Sequence, residues 1–215
     1  MFIDSTPYFS VTHSFQVFVE AWPQETPLPT ETQLNALLPV GMQLMSDVKA
    51  LEADCLLQLR HLDDDAKTIV EYLKLQSRKI DLVLQHVLAQ TPHPGEAVKG
   101  VRFGGSGIHI LTPTPLTPDQ PFKLTLYMKE EFIAMICFAK VIDSTLTNKI
   151  NMPIETLAQA SIHNDDPLSH KEQNEAQYLT ELRFNVIQDS DIEQLVKASL
   201  SVQQKQLKLR KLHPS

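Results

Sequence analysis

The stretch that decides the fold reads VRFGGSGIHIL over residues 101–111. It places three of the chain's six glycines at Gly104, Gly105 and Gly107, between two short apolar runs. Such a local concentration indicates a turn that requires either positive φ or a close backbone approach. The apolar residues on both sides, rich in β-branched and aromatic types, predict two strands that meet at this turn.

Extended segments are predicted on both sides of this stretch. Short apolar runs and alternating patterns predict strands over residues 97–103, 107–112, 122–129, 132–143 and 178–187. Because residues 132–142 are apolar on both faces, that strand is expected to be central. Residues 8–22 carry a β-like patch that could contribute a further strand. The polar stretch 144–176 predicts a long exposed loop.

A long helix is predicted immediately upstream, over residues 65–90. Its apolar seam consists of Ile69, Leu73, Ile80, Val83 and Val87. Leu73, Ile80 and Val87 recur every seven residues, which is the period of a coiled coil. Since a small domain can hardly cover so long a stripe, we expect an intramolecular hairpin with residues 40–62, pairing between subunits, or both.

Capping signals and prolines divide the chain into four expected regions. Thr30 and Gln33 have the spacing of a capping box that opens a helix, and Asp189 and Asp191 are suited to begin a last helix over residues 191–211. The regions are an N-terminal extended segment (1–30), a helical oligomerisation region (31–91), a barrel (97–188) and a C-terminal helix (189–212). The basic residues that end the last helix, from Lys205 to Lys211, either complement its dipole or form an anion or partner site.

Composition excludes several classes of function. The 215 residues carry a formal net charge of −7, which argues against general binding of DNA. No apolar stretch of about 18 residues is present, so no membrane span is expected. The N-terminus lacks the pattern of a secretory signal, which favours a reduced cytoplasmic compartment. Cys55 and Cys137 both lie in apolar patterns and are expected to be buried thiols.

The glycine turn lacks the features of known catalytic or phosphate-binding loops. A phosphate-binding P-loop requires a lysine and a following helix, whereas a strand follows here. A nucleophile elbow requires glycine two residues after the serine, but Ile108 follows Ser106 by two. Ser106 is therefore expected to be a turn residue and His109 a packing residue, and no enzyme activity is expected. The eight histidines show no metal-binding spacing, so a zinc site would have to be assembled from scattered residues, and no metal is expected.

The pattern from Val101 to Val141, a glycine turn followed by Pro113, Leu116 and Pro118 and then two strands, resembles a PilZ domain. The resemblance implies a six-stranded antiparallel β-barrel of a bacterial family that binds the second messenger cyclic di-GMP. With the long helix in front and a basic C-terminal helix behind, residues 40–211 resemble the atypical, tetramer-forming members. The implied class is α+β, with a long helical hairpin before the barrel.

The resemblance also implies a nucleotide-binding site. The family signature is R-x-x-x-R on an N-terminal arm with D/N-x-S-x-x-G at the start of a barrel strand. Aligning its last glycine with Gly107 places Arg102 and Gly104 at the two polar positions, so only the glycine matches, and R-x-x-x-R is absent. The implied nucleotide-binding residues are Arg102, Gly104, Gly105, Ser106 and Gly107.

Two functions follow from the resemblance, and both are non-enzymatic. The first is an oligomeric cyclic di-GMP receptor or adaptor in which the heptad-bearing helices hold two or four copies of the chain together. The second is a barrel that has lost nucleotide binding and serves as an oligomeric protein-interaction module. Bidentate contact and stacking with a cyclic dinucleotide require guanidinium groups. Convergence of Arg102 with the basic helix end would therefore favour the receptor, and a packed neutral surface around Gly104 would favour the module.

Overall fold

The computed structural model describes residues 10–44, 48, 51, 55, 67–90, 93–131, 133–147 and 177–212. The chain divides into two compact units, one formed by Met1–Leu34 with Pro94–Ser215 and the other by Asn35–His93. Six strands and the C-terminal helix belong to the first unit, and the long helix belongs to the second. Among the described residues, no helix has the length and apolar character needed to cross a membrane.

The strands form a closed antiparallel barrel, as predicted. They are β1 (Ser10–Ala21), β2 (Glu96–Gly104), β3 (Gly107–Thr112), β4 (Pro121–Met128), β5 (Ile133–Thr147) and β6 (Gln177–Val186). Their order around the barrel is β1-β2-β3-β6-β5-β4, so the segment before the helices supplies the strand that lies between β2 and β4. Every pair is antiparallel. Closure leaves the sheet without a free edge.

Alternate side chains along the strands point inward and fill the interior of the barrel. Val17, Leu124, Ile110 and Leu182 are fully buried, and β5 is buried on both faces around Cys137, as its sequence predicted. The C-terminal helix begins at Asp189 and ends at Leu212, two residues earlier and one later than predicted. Its Leu195, Ala198 and Val202 belong to the same buried cluster as the barrel side chains. We refer to helix Glu31–Leu37 as α1, Lys67–Gln90 as α2 and Asp189–Leu212 as α3.

The predicted loop 144–176 begins later than expected. β5 continues to Thr147, because Ser144–Thr147 pair with Gln177–Thr180 of β6. Hydroxyl groups stabilise this extension: Ser144 Oγ lies 2.8 Å from Thr180 Oγ1, which lies 3.2 Å from Thr112 Oγ1. The polar residues that predicted a loop therefore form hydrogen bonds with one another between strands. The rest of the predicted loop lies outside the described residues.

The helices agree with the capping and periodicity signals. Gln33 Oε1 accepts a hydrogen bond of 2.9 Å from the Thr30 backbone N–H, one arm of the predicted capping box. α2 is continuous from Lys67 to Gln90, and the two positions before it lie outside the described residues. Most of the predicted hairpin arm 40–62 also lies outside them, although residues 40–44, 48, 51 and 55 are helical.

The prediction that both cysteines are buried is wrong for Cys55. Cys137 is fully buried in the barrel, whereas Cys55 is exposed. The physical reason is that the apolar residues Leu44 and Leu51, which precede Cys55 in its apolar pattern, are themselves exposed in the single chain.

Candidate functional site

The glycine turn joins β2 to β3 and lies beneath α3. Gly104 and Gly105 are buried, and Ser106 is half-buried. A Cβ added to Gly105 would lie 2.9 Å from a methyl group of Val196 and 3.6 Å from one of Ile192, both on α3. The backbone of the turn at Gly105 is therefore covered by the apolar side of a helix.

Close approach, and not positive φ, explains glycine at this turn. Among the described glycines, only Gly95 has a positive φ, of 96°. A Cβ at Gly107 would overlap the carbonyl oxygen of Leu182 on the neighbouring strand β6. The Phe184 N–H donates a 3.0 Å hydrogen bond to the Ser106 carbonyl and fixes the turn against the same strand. Gly107 thus allows β3 to pack tightly against β6, and Gly105 allows α3 to pack tightly on the turn.

A polar row crosses three strands beside the turn. Arg102 of β2 pairs with His109 of β3, which pairs with Glu181 of β6. Paired residues of antiparallel strands point to the same face. Because Phe103, Ile108 and Leu182 fill the interior, the polar row lies on the outer face of the barrel.

A second arginine lies on the same outer face, one row nearer the turn. Arg183 is the cross-strand partner of Gly107, and its Nη2 lies 3.9 Å from Glu181 Oε1. The same carboxylate lies 3.9 Å from His109 Nε2 through its other oxygen. Both separations are too long for hydrogen bonds, and Glu181 Oε1 is buried without a hydrogen-bond partner among the described residues. Arg102 of β2 and Arg183 of β6 thus lie on the two strands that border β3, diagonally across it, and an anion that bound both guanidinium groups would lie across β3.

The sequence singled out Arg102 and missed Arg183. Arg183 lies on a clearly alternating strand, so its outward direction was predictable. Its position opposite Gly107 depends on the β3–β6 register, which joins residues 66 to 76 positions apart. No local pattern carries that pairing.

The basic end of α3 already forms contacts with other parts of the chain. Lys205 Nζ lies 2.8 Å from Glu131 Oε1 and is paired with it. The neighbouring Gln206 side chain donates a 2.7 Å hydrogen bond to the carbonyl oxygen of Thr12, the cross-strand partner of Arg102. This end of the helix therefore approaches the strand pair that carries Arg102, but its first lysine already has a carboxylate partner.

Comparisons with known proteins give structural neighbours only. No protein-family model and no curated protein sequence matches the chain. The chain is similar in structure to a pathogenic protein from Xanthomonas campestris, described as a new tetrameric PilZ domain self-assembled via an unusual helical bundle. The TM-score is 0.48 at 12% identity, over 96% of this chain and 93% of that one.

A second neighbour is MrkH of K. pneumonia in its apo state. The TM-score is 0.38 at 13% identity, over 53% of this chain and 43% of that one. The first neighbour is of the kind that the sequence resemblance indicated, a tetrameric PilZ-domain protein.

Proposed function

We propose that the chain is a bacterial, cytoplasmic and non-enzymatic receptor or adaptor of the atypical PilZ type, acting in cyclic di-GMP signalling. The observation that carries this proposal is the pair Arg102 and Arg183, which flanks the start of β3 on the outer face of the barrel. Guanidinium groups offer both bidentate hydrogen bonds to phosphate and planar surfaces for stacking on guanine. Two of them next to a glycine turn supply the minimum chemistry for a cyclic dinucleotide.

The proposed ligand would occupy the outer side of the turn. Gly104 and Gly105 are buried, and α3 packs on Gly105, so these two glycines shape the site from beneath. Ser106 and Gly107 lie at its rim, because both are only half-buried. In this arrangement the arginines contact the nucleotide, and the glycines allow the strands to approach closely enough to present them.

Assembly is the second part of the proposal. Ile69, Leu73, Ile80, Val83 and Val87 of α2 are between 47% and 64% exposed in the single chain. Removing such a stripe from water is favourable by about 25 cal/mol per Å² of apolar surface. Because the stripe repeats every seven residues, a second copy of α2 is the partner whose geometry fits it. We therefore propose a homo-oligomer, a dimer or a tetramer, formed through α2.

The alternative is an oligomeric interaction module that does not bind the nucleotide. Two observations favour it: the turn is covered at Gly105 by Val196 and Ile192, and Lys205 is paired with Glu131. Both reduce the number of cations and backbone N–H groups that a nucleotide could reach. In this alternative the barrel surface would bind a protein partner, and α2 would set the number of copies.

Calorimetric titration of the full chain with cyclic di-GMP distinguishes the two functions. The receptor predicts saturable heat, weakened about tenfold or more in Arg102→Ala and in Arg183→Ala, because each removes charge-assisted hydrogen bonds. Arg78→Ala, which removes an exposed arginine from α2, is the matched control and should bind as the native chain does. Absence of heat at high micromolar protein would refute the receptor and leave the module.

A further inference from the structure

Three side chains that are far apart in sequence meet at one end of the barrel. They are His13 of β1 and Glu130 and Glu131 of the turn between β4 and β5. One potential ligand atom from each lies within 4.8 Å of the others. The β1–β4 pairing, which joins Gln16 to Tyr127, explains the encounter, because its continuation brings the start of β1 opposite this turn.

The Glu131 side chain is buried although it carries a charge. It is only 3% exposed, and its Oε1 accepts a 2.8 Å hydrogen bond from Lys205 Nζ. Its Oε2 is buried and has no hydrogen-bond partner among the described residues. Leaving a buried carboxylate oxygen without a partner is costly. A cation at Oε2 would remove that cost, while Lys205 would hold the carboxylate in place through the other oxygen.

The His13 side chain is suited to be a nitrogen ligand. Its imidazole carries ring nitrogens of the type that most often bind metal ions, and one of them lies within 4.8 Å of a carboxylate oxygen of each glutamate. An edge-on contact with the Phe103 ring, at 6.0 Å between centroids, helps to fix its orientation.

We propose that His13, Glu130 and Glu131 bind one divalent transition-metal ion of the zinc type. One imidazole nitrogen with two carboxylate oxygens is a ligand set that Zn²⁺ accepts, whereas Mg²⁺ and Ca²⁺ prefer oxygen ligands alone. Tetrahedral coordination with bonds of about 2.0 Å places ligand atoms roughly 3.3 Å apart. Glu130 is exposed on a turn, so its side chain is free to close the remaining gap.

Two of the three proposed ligands, Glu130 and Glu131, line an open groove. The groove, of about 330 Å³, lies between the β4–β5 turn and α3. Its lining includes Glu130, Glu131, Ser201 and Lys205. The bound ion would join β1 to the β4–β5 turn, and the Lys205–Glu131 pair would connect this junction to α3.

Calorimetric titration of the full chain with Zn²⁺ tests the proposal. We expect one saturable equivalent per chain, with binding weakened at least about tenfold in His13→Ala and in Glu130→Gln, since each removes one ligand. Glu130 is exposed, so its substitution leaves the fold intact even if His13→Ala does not. His86→Ala, which removes an exposed histidine of α2, should bind as the native chain does.

Two further measurements complete the experiment. The native chain should gain thermal stability with Zn²⁺, because an ion that binds only the folded state stabilises it, and Mg²⁺ at the same concentration should give no such gain. Co²⁺ added to the native chain should give visible absorption that Glu130→Gln lacks. The proposal is overturned if no saturable Zn²⁺ binding is found, if Glu130→Gln binds as tightly as the native chain, or if His86→Ala abolishes binding.

Discussion

Within the barrel, Val17, Leu124 and Leu182 are fully buried, whereas along α2 Ile69, Leu73 and Ile80 are exposed over roughly half of their surface or more. Both regions contain regularly spaced apolar residues. The barrel brings its apolar faces together inside one chain, because closure directs alternate side chains of all six strands to a common interior. α2 has one apolar stripe, and in the single chain that stripe remains in contact with water.

The difference indicates two separate sources of stability. The barrel is expected to fold with contributions from its own chain, since its core is complete with the side chains of α3. The apolar stripe of α2 is stabilised only when another surface covers it. If that surface is a second copy of the chain, as we propose, its contribution depends on protein concentration. Substitutions in each region in turn test whether these two sources of stability are separate.

The largest effect is expected from α2. Replacing Leu73, Ile80 and Val87 together by Gln removes the apolar stripe. The helix itself is retained, because the helix propensity of Gln is close to that of Leu and higher than that of Ile and Val. We expect the oligomer to dissociate to single chains of 24.3 kDa while the barrel stays folded. Light scattering measures the mass, and circular dichroism verifies the fold.

A matched triple substitution of exposed polar residues on the same helix, Glu71→Gln, Lys74→Gln and Lys79→Gln, is the control and should keep the native mass. If the native chain is already a monomer, or if the variant with Gln at positions 73, 80 and 87 keeps the native mass, α2 is not an interface between chains.

The second effect concerns the barrel core. Phe103 is fully buried and makes edge-on ring contacts with Phe15 and His13. Phe103→Ala should lower the free energy of unfolding by about 3–5 kcal/mol, because it leaves a large cavity. Phe18→Ala on the outer face, where Phe18 is half-buried, should cost less. Urea denaturation measures both, and equal losses would show that the interior of the barrel is not its main source of stability.

The two regions also differ in how much of their structure the sequence predicted. Local periodicity predicted α2, its seam and the faces of the strands, because each depends on neighbours a few positions apart. Closure is long-range, and it was predicted only through the resemblance to a known family. The strand order was not predicted and comes from the structure. The extension of β5 to Thr147 was missed because its polar residues are satisfied by a distant strand.

The candidate site was only half predictable for the same reason. Arg102 and the glycines form one continuous stretch, so their association is visible in the sequence. Arg183 reaches this stretch through the β3–β6 register, and His13 reaches Glu131 through the β1–β4 register. Neither register leaves a local signature. Side chains that meet across a barrel therefore emerge only from the structure.

A smaller loss of stability is expected at the glycine turn. Gly107→Ala would place a methyl group against the Leu182 carbonyl of β6. Because backbone and not a flexible side chain must shift, we expect a loss of about 1–3 kcal/mol in the free energy of unfolding. Ser106→Ala is the control and should stay within about 0.5 kcal/mol, since the Ser106 carbonyl, and not its hydroxyl, bonds Phe184. A native-like Gly107→Ala would mean that β3 and β6 are less tightly paired than the structure indicates.

The last prediction compares the reactivity of one thiol from each region, Cys137 in the barrel and Cys55 in the helical unit. It concerns reactivity and not stability. Burial, assisted by the charge of Asp191, raises the pKa of Cys137, so its reactive thiolate is suppressed and shielded, whereas Cys55 is exposed. In the dissociated Gln variant of α2, where subunit packing cannot protect Cys55, a thiol reagent should modify one cysteine rapidly and the second only after unfolding in urea. Cys55→Ser should abolish the rapid phase. Two rapid thiols in the folded variant would show that the barrel opens readily, and the contrast between a self-sufficient barrel and a dependent helix would no longer hold.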